Sequence, residues 1–282
     1  MMTTAPILLR PHAYRDSFAM VWRLAVRHYE LLWELQKRDL SDRYVGSVFG
    51  VIWGVVHPLI LMALYVVVFG FVFKLKLGED VGIKLDYPAY IMAGYLPWMA
   101  IMDMMTRSAT VIHANVNLIK QVAFPTEFLP AKSLLGSLLP QAVGTVFLLV
   151  YTGVRFGHLP VTIGLLPVAL LIQILAALGL GWLLALIGAY LRDTPNVLQV
   201  VFLVNLYLMP VVFVPAWTPE ILSWVFVCNP FSHLVYMYQD MFFYGAIQHV
   251  SSWLICAGLA VFTFVFGFNL FMRAKQAFGN VL

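Results

Sequence analysis

The sequence predicts an all-α integral membrane fold with six transmembrane helices, an N-terminal amphipathic interface helix and re-entrant helices between spans five and six. Three observations carry that reading. The 282 residues are 62% hydrophobic and only 11% charged, with a mean hydropathy of +0.88, whereas a soluble domain devotes about 25% of its residues to charge. Uncharged runs recur along the chain, several of them reaching the roughly 20 apolar residues that a helix needs to cross a bilayer. Lys and Arg gather on one set of connecting segments, the asymmetry that orients a multi-pass protein.

The chain divides into a cytoplasmic N-terminus, residues 1–43, and one six-span transmembrane domain, residues 44–282. The first sixteen residues carry Arg10, His12, Arg15 and Asp16 without an apolar core, so no cleavable signal peptide is expected. From 17 to 40, Phe18, Val21, Trp22, Ala25, Tyr29, Leu32 and Trp33 recur at helical spacing, while Arg23, Arg27, Glu30, Glu34, Lys37 and Arg38 fill much of the remaining circumference. That pattern predicts an amphipathic helix lying in the inner interface, its tryptophans at headgroup depth.

No charge interrupts Tyr44 to Phe73, which holds the first span. The second runs from about Pro88 to Ile112 and carries Asp103 and Arg107. One helical turn separates these two, so a structural ion pair is expected in preference to a coupling-ion site. His57, just before Pro58, is expected as a buried, hydrogen-bonded histidine at a kink. The third span covers about Leu134–Val154, the fourth about Ile163–Tyr190, the fifth about Val197–Val214 and the sixth about Ser252–Met272.

Between the last two spans, Pro215–His249 is apolar and aromatic, yet Trp217-Thr218-Pro219-Glu220, Asn229-Pro230 and Asp240 break it. Two short helices that dip into the outer leaflet and return satisfy both features, provided protein shields the broken backbone. A pair of full spans is the competing reading. With both termini inside, the inner segments 1–43, 107–132, 192–193 and 273–282 hold thirteen of the Lys and Arg residues, and the outer ones hold four.

The net charge of +4 sits largely at that inner membrane face, where anionic lipid rather than nucleic acid is the expected partner. No G-x-x-x-x-G-K-[ST] phosphate loop occurs, so ATP hydrolysis by that route is not expected of this chain, and no metal or cofactor motif appears. Cys228 and Cys256 lie in apolar surroundings without metal-ligand spacing. A secondary transporter would show internal repeats and buried ionisable groups near the midplane. A membrane-embedded transferase would cluster His with Asp or Glu at one interface. Neither pattern is found.

Several ordered motifs then carry a resemblance. Lys37-Arg38-Asp39-Leu40 and Arg43-Tyr44-x-Gly46-Ser47-x-x-Gly50-x-x-Trp53 lead into His57-Pro58-Leu59. Gly94-Tyr95-Leu96-Pro97-Trp98, Asn117-Leu118-Ile119-Lys120 and Phe124-Pro125-x-Glu127-x-x-Pro130 follow. Arg192-Asp193-Thr194-x-Asn196, Asn229-Pro230-Phe231 and Asp240-x-x-x-Tyr244-Gly245 complete the set. Over nearly its whole length the chain resembles the permease subunits of ABC transporters that export lipid-linked polysaccharides such as O-antigen, capsular polysaccharide and teichoic acid.

The resemblance implies a half-transporter in the bacterial plasma membrane, with both termini cytoplasmic. It would pair with a second copy of itself above two copies of a separate ATPase, which would bind the ATP and Mg. A coupling helix would occupy about 113–124, with Asn117, Leu118, Lys120 and Phe124 meeting a groove on the ATPase. Outer gate helices would occupy about 215–245, with Trp217, Asn229 and Pro230 as gate candidates. The channel would run between the copies along the first and fifth spans, with Trp53, Tyr65 and Tyr207 facing the sugar. A same-fold permease for another substrate, such as capsule, teichoic acid, a lipid or a drug, is the alternative, with a secondary transporter behind it.

Overall fold

The computed structural model describes residue 19 and residues 29–43, 50–72, 86–120 and 125–275. The described residues fold into α-helices with short 3-10 and π turns between them: α1 (Tyr29–Arg43), α2 (Trp53–Tyr65), α3 (Tyr87–Ala114), α4 (Val116–Ile119), α5 (Phe128–Phe156), α6 (Leu166–Tyr190), α7 (Thr194–Tyr207), α8 (Glu220–Cys228), α9 (Pro230–Gln239) and α10 (Val250–Ala274).

Among the described residues, four helical stretches are long and apolar enough to cross a membrane: Trp53–Val72, Phe128–Phe156, Val161–Tyr190 and Val250–Ala274. They correspond to the first, third, fourth and sixth expected spans, and they make the chain a multi-pass membrane protein. The expected second span is α3, a 28-residue helix about 42 Å long at 1.5 Å per residue. It lies at the centre, packed against α5, α6, α7 and α9, and most of its residues from Tyr87 to Ile112 are buried. The expected fifth span is the 14-residue α7, about 21 Å long and shorter than the roughly 30 Å hydrocarbon core.

The early end of α7 at Tyr207 has a local cause. Pro210 brings no N–H to continue the helix, and the carbonyls freed there find partners on the returning segment. Asn229 Nδ2 donates to Leu208 O at 2.9 Å, and Gln239 Nε2 donates to Pro210 O at 2.6 Å. The segment from 215 to 244 is then two short helices joined at Asn229: α8, mostly exposed, and α9, almost wholly buried against α3 and α10. Asn229 caps α9 by accepting from Phe231 N at 3.0 Å, with Pro230 in the first turn.

Other ends follow the same chemistry. Gly157 (φ 75°) closes α5, donating its N–H to Gly153 O at 3.0 Å. Gly245 (φ 64°) ends a π turn over Asp240–Tyr244. A close helix contact joins α6 and α10, where a Cβ on Gly267 would meet Gly179 O at 2.2 Å; small residues at such crossings let backbones approach in lipid.

The N-terminal interface helix is described only as α1; its expected apolar positions Phe18, Val21, Trp22 and Ala25 lie outside the described residues. Within α1, Leu35 and Gln36 are buried, while Tyr29 and Trp33 are exposed with Lys37 Nζ 5.5 Å from the Trp33 ring centre. An apolar ring with a cation over it, turned away from the protein, suits headgroup depth.

Candidate functional site

A cleft of about 760 Å³ lies between α2, α3, α5 and α7. Trp53, His57 and Leu61 of α2 form one wall, and Gln199, Phe202 and Leu206 of α7 form the opposite one. Trp98 and Met99 of α3 lie on its floor. Trp98 itself is held edge-on by Phe202 and Phe231, with ring centres 5.5 and 5.2 Å away. The lining is mainly apolar and aromatic.

The charged exception is one pair. Arg107 Nε meets Asp103 Oδ2 at 2.8 Å, one turn apart on α3, with each side chain about one third exposed (33% and 32%). The expected ion pair is therefore present, and both members also line the cleft. His57 differs from expectation. It is exposed on the cleft wall rather than buried and hydrogen-bonded, because the helix turns Gly54, Pro58 and Met62 inward and leaves His57 beside them on the open side.

The other aromatic candidates fall on a second feature. Tyr65 packs edge-on against Tyr95 at 5.3 Å and lies 6.2 Å from Phe69. Phe69 meets Tyr87 at 5.3 Å, and Tyr87 stacks on Trp217 at 6.1 Å. An unbroken aromatic column thus joins Tyr65 at the end of α2 to Trp217 at the start of the returning segment. The Tyr87 hydroxyl donates to Val212 O, and that of Tyr90 donates to Phe213 O at 3.3 Å. Tyr207 is half exposed and contacts Phe213 at 6.3 Å. Trp53 lines the cleft.

Asn229 is half-buried and hydrogen-bonded, and Pro230 beside it is exposed. Asn229 Nδ2 bonds Asn205 Oδ1 at 2.6 Å as well as Leu208 O, so it staples the end of α7 to the start of α9. Two buried clusters fix the rest of the returning segment. Asp240 accepts from His249 Nδ1, His249 N and Trp253 Nε1 at 2.8, 3.1 and 3.1 Å. Gln141 of α5, Gln173 of α6 and Tyr238 of α9 bond one another deep in the helices. Neither glutamine was singled out from sequence, although a glutamine inside an uncharged span is itself a signal for an interhelical bond.

At the opposite end, α4 follows α3 after one turn, with Asn115 Nδ2 donating to Val111 O at 2.8 Å. Asn117 and Lys120 are exposed and Leu118 is half-buried; Phe124 lies outside the described residues. Beyond it, Glu127 is buried and bonds Lys275 Nζ at 3.1 Å, and its carbonyl accepts from Trp182 Nε1 at 3.0 Å. Glu127, just before α5, is thereby tied to both α6 and the end of α10. Among the described residues no group of His, Cys, Asp and Glu could hold a metal ion, and both cysteines are free thiols, Cys228 exposed and Cys256 buried.

The sequence model of the ABC-2 type transporter family matches residues 30–243. The O-antigen export system permease protein RfbA of Klebsiella pneumoniae is 24% identical over 260 residues, covering 90% of this chain and 95% of the relative. Its namesake in Myxococcus xanthus is 25% identical over 254 residues, covering 89% and 94%. The polysialic acid transport protein KpsM of Escherichia coli is 21% identical over 252 residues, covering 85% and 92%.

Proposed function

The chain belongs to the ABC-2 type transporter family, and from that premise we propose that it is the channel-forming permease subunit of an ATP-driven exporter of lipid-linked polysaccharide. The observation that carries the substrate class is the end-to-end match to relatives named as O-antigen export permeases. The relative named as a polysialic acid transport protein favours a capsule-like glycan as the second reading.

The finer organisation follows as part of the same proposal. Six spans cross the bacterial plasma membrane, with α3 and α7 as the second and fifth, and both termini cytoplasmic. A single chain leaves its first span uncovered: only 11% of the apolar window in Trp53–Val72 is buried, against 39–44% in the other three. A second copy facing α2 and α7 would close the cleft into a channel. The column from Tyr65 to Trp217 would continue that path towards the outer face, where the re-entrant α8 and α9 act as the gate. Sugar rings present C–H faces that stack on such aromatics while hydroxyls find water, so the chain can be bound and still move.

ATP would be hydrolysed by a separate subunit pair beneath the membrane. The element from 113 to 124, with Asn117, Leu118, Lys120 and Phe124, would transmit that motion. Its ties through Glu127 to Lys275 and Trp182 supply the stiffness needed to pass a displacement on to α6 and α10.

Purification of the tagged chain from its native membrane, with mass spectrometry and an ATPase assay, tests this. A nucleotide-binding subunit in equal proportion, with ATP turnover, is expected. A chain that purifies alone and hydrolyses nothing when its genomic neighbours are co-expressed would overturn the proposal.

A further inference from the structure

A second cavity, of about 540 Å³, shares Arg107 with the cleft. Its walls come from four elements: Leu35, Arg38 and Asp39 of α1; Arg107 and Thr110 of α3; Asn117 and Leu118 of α4; and Lys132 and Ser133 of α5. We propose that this cavity seats the phosphate of an anionic phospholipid headgroup at the inner leaflet.

The unused hydrogen-bonding capacity of two cations points to an oxyanion. Lys132 is buried, its residue 9% exposed, and its ammonium has one partner, Asp39 Oδ1 at 3.2 Å. An ammonium offers three donors, and a buried one bonded to a single carboxylate oxygen among the described residues leaves the others for a further acceptor. Arg107 engages Asp103 through Nε alone, so that its two terminal nitrogens have no bond among the described residues. Arg38 adds a third cation to the same wall. Among the described residues, Asp39 is the carboxylate that lines the cavity with them. A tetrahedral oxyanion supplies several acceptors at once and is the group that guanidinium and ammonium share.

The source is argued from position. Lys132 and Ser133 lie in the first turns of a membrane-crossing stretch, Phe128–Phe156, and α1 carries its exposed Trp33 and Lys37 as an interface helix does. Apolar walls at Leu35, Val111 and Leu118 suit the glycerol and upper acyl carbons that follow a headgroup phosphate. The proposal rests on the membrane-crossing reading of this chain and on the cytoplasmic placement of α1. A lipid wedged between α1, α3 and α4 would hold the interface helix against the element proposed to meet the ATPase, so that headgroup occupancy would bear on coupling.

The test uses the full chain with its co-purifying partner in mild detergent, read by native mass spectrometry and thermal shift. Dioleoylphosphatidylglycerol is expected to stay bound at one per chain and to raise Tm, with dioleoylphosphatidylcholine and millimolar inorganic phosphate doing neither. Lys132→Met and Arg107→Gln should each weaken retention about tenfold or more, while Arg192→Gln, an exposed cation elsewhere, should not. Should Lys132→Met fail to fold, Arg107→Gln decides alone. Equal retention of the two lipids, unchanged retention in Arg107→Gln, or displacement of the lipid by inorganic phosphate each overturns the proposal. If neither lipid binds and the variants instead shed the ATPase, the cavity belongs to the protein partner and the lipid seat is wrong. Failure of lipid binding with the ATPase still attached leaves the exporter reading standing.

Discussion

The Asp240 carboxylate is fully buried and takes the His249 imidazole at 2.8 Å, closing the end of the 215–244 segment onto the start of α10. Two further donors, His249 N and Trp253 Nε1, occupy its second oxygen at 3.1 Å. The His249 ring also stacks on Tyr236 at 4.3 Å, and Thr162 Oγ1 bonds Met241 O at 2.9 Å from the other side. Position 240 therefore clamps α9, the 245–249 loop and α10 together at one point.

Asp240→Ala removes the acceptor for three donors in a site without water access, so it should cost about 2–3 kcal/mol and lower Tm by several degrees. His249→Gln leaves the carboxylate two of its donors and should cost less than half as much. Thermal melting of the detergent-solubilised protein checks this; equal melting of Asp240→Ala and wild type would show that the clamp contributes nothing.

The helix crossings give a second prediction. A Cβ at Gly188 would lie 1.8 Å from Ala109 O, and one at Gly179 would lie 2.3 Å from the backbone of Thr263. Backbone cannot rotate away as a side chain can, so Gly188→Ala and Gly179→Ala should force α3 and α10 off α6. Overpacking of this kind costs about 1–3 kcal/mol. Gly258, on α10 with nothing within 4 Å of a built Cβ, is the control, and Gly258→Ala should express and melt like the parent.

For coupling, Lys120→Glu and Asn117→Ala change exposed side chains on or beside α4, so neither should disturb folding. If α4 is the element that meets the ATPase, each should reduce ATP turnover of the co-purified complex several-fold without lowering Tm. Unchanged turnover in both would remove α4 from that role.

The helices were legible because apolarity and charge placement act locally. Uncharged runs announced Trp53–Val72, Phe128–Phe156, Val161–Tyr190 and Val250–Ala274, and the one-turn spacing of Asp103 and Arg107 announced their bond. Contacts between distant segments were not legible. The stop of α7 at Tyr207 depends on Asn229, 21 residues beyond the Leu208 carbonyl it bonds, and the cradle around Lys132 depends on Asp39, on a different helix. Facing was the harder problem for the aromatics. In an apolar helix no charged side marks the solvent face, so Trp53 in the cleft and Tyr65 in the column could not be told apart by spacing.

The polar knot in the helix core gives the last prediction. Gln141 Nε2 donates to Gln173 Oε1 and to the Tyr238 hydroxyl, each at 3.0 Å, and Gln173 Nε2 returns a bond to Gln141 Oε1 at 2.8 Å. The Tyr238 hydroxyl in turn donates to Gln173 Oε1, so every member serves another and all three are buried. Gln173→Leu alone leaves the Gln141 carbonyl without its donor and the Tyr238 O–H without its acceptor in an apolar surround, although Gln141 Nε2 keeps its bond to the Tyr238 oxygen, which should cost about 1–3 kcal/mol. Replacing all three, as Gln141→Leu, Gln173→Leu and Tyr238→Phe, removes the orphans together with the bonds, and should recover most of that loss. A cycle of single, double and triple variants measures the difference as a coupling energy. Because Tyr238 belongs to α9 while the glutamines belong to α5 and α6, the triple variant should also free the re-entrant helix from its anchor. Melting temperature near that of the parent, with faster hydrogen exchange confined to 230–244, is the expected pairing; losses that simply add across the three sites would show that the knot does not act as a unit.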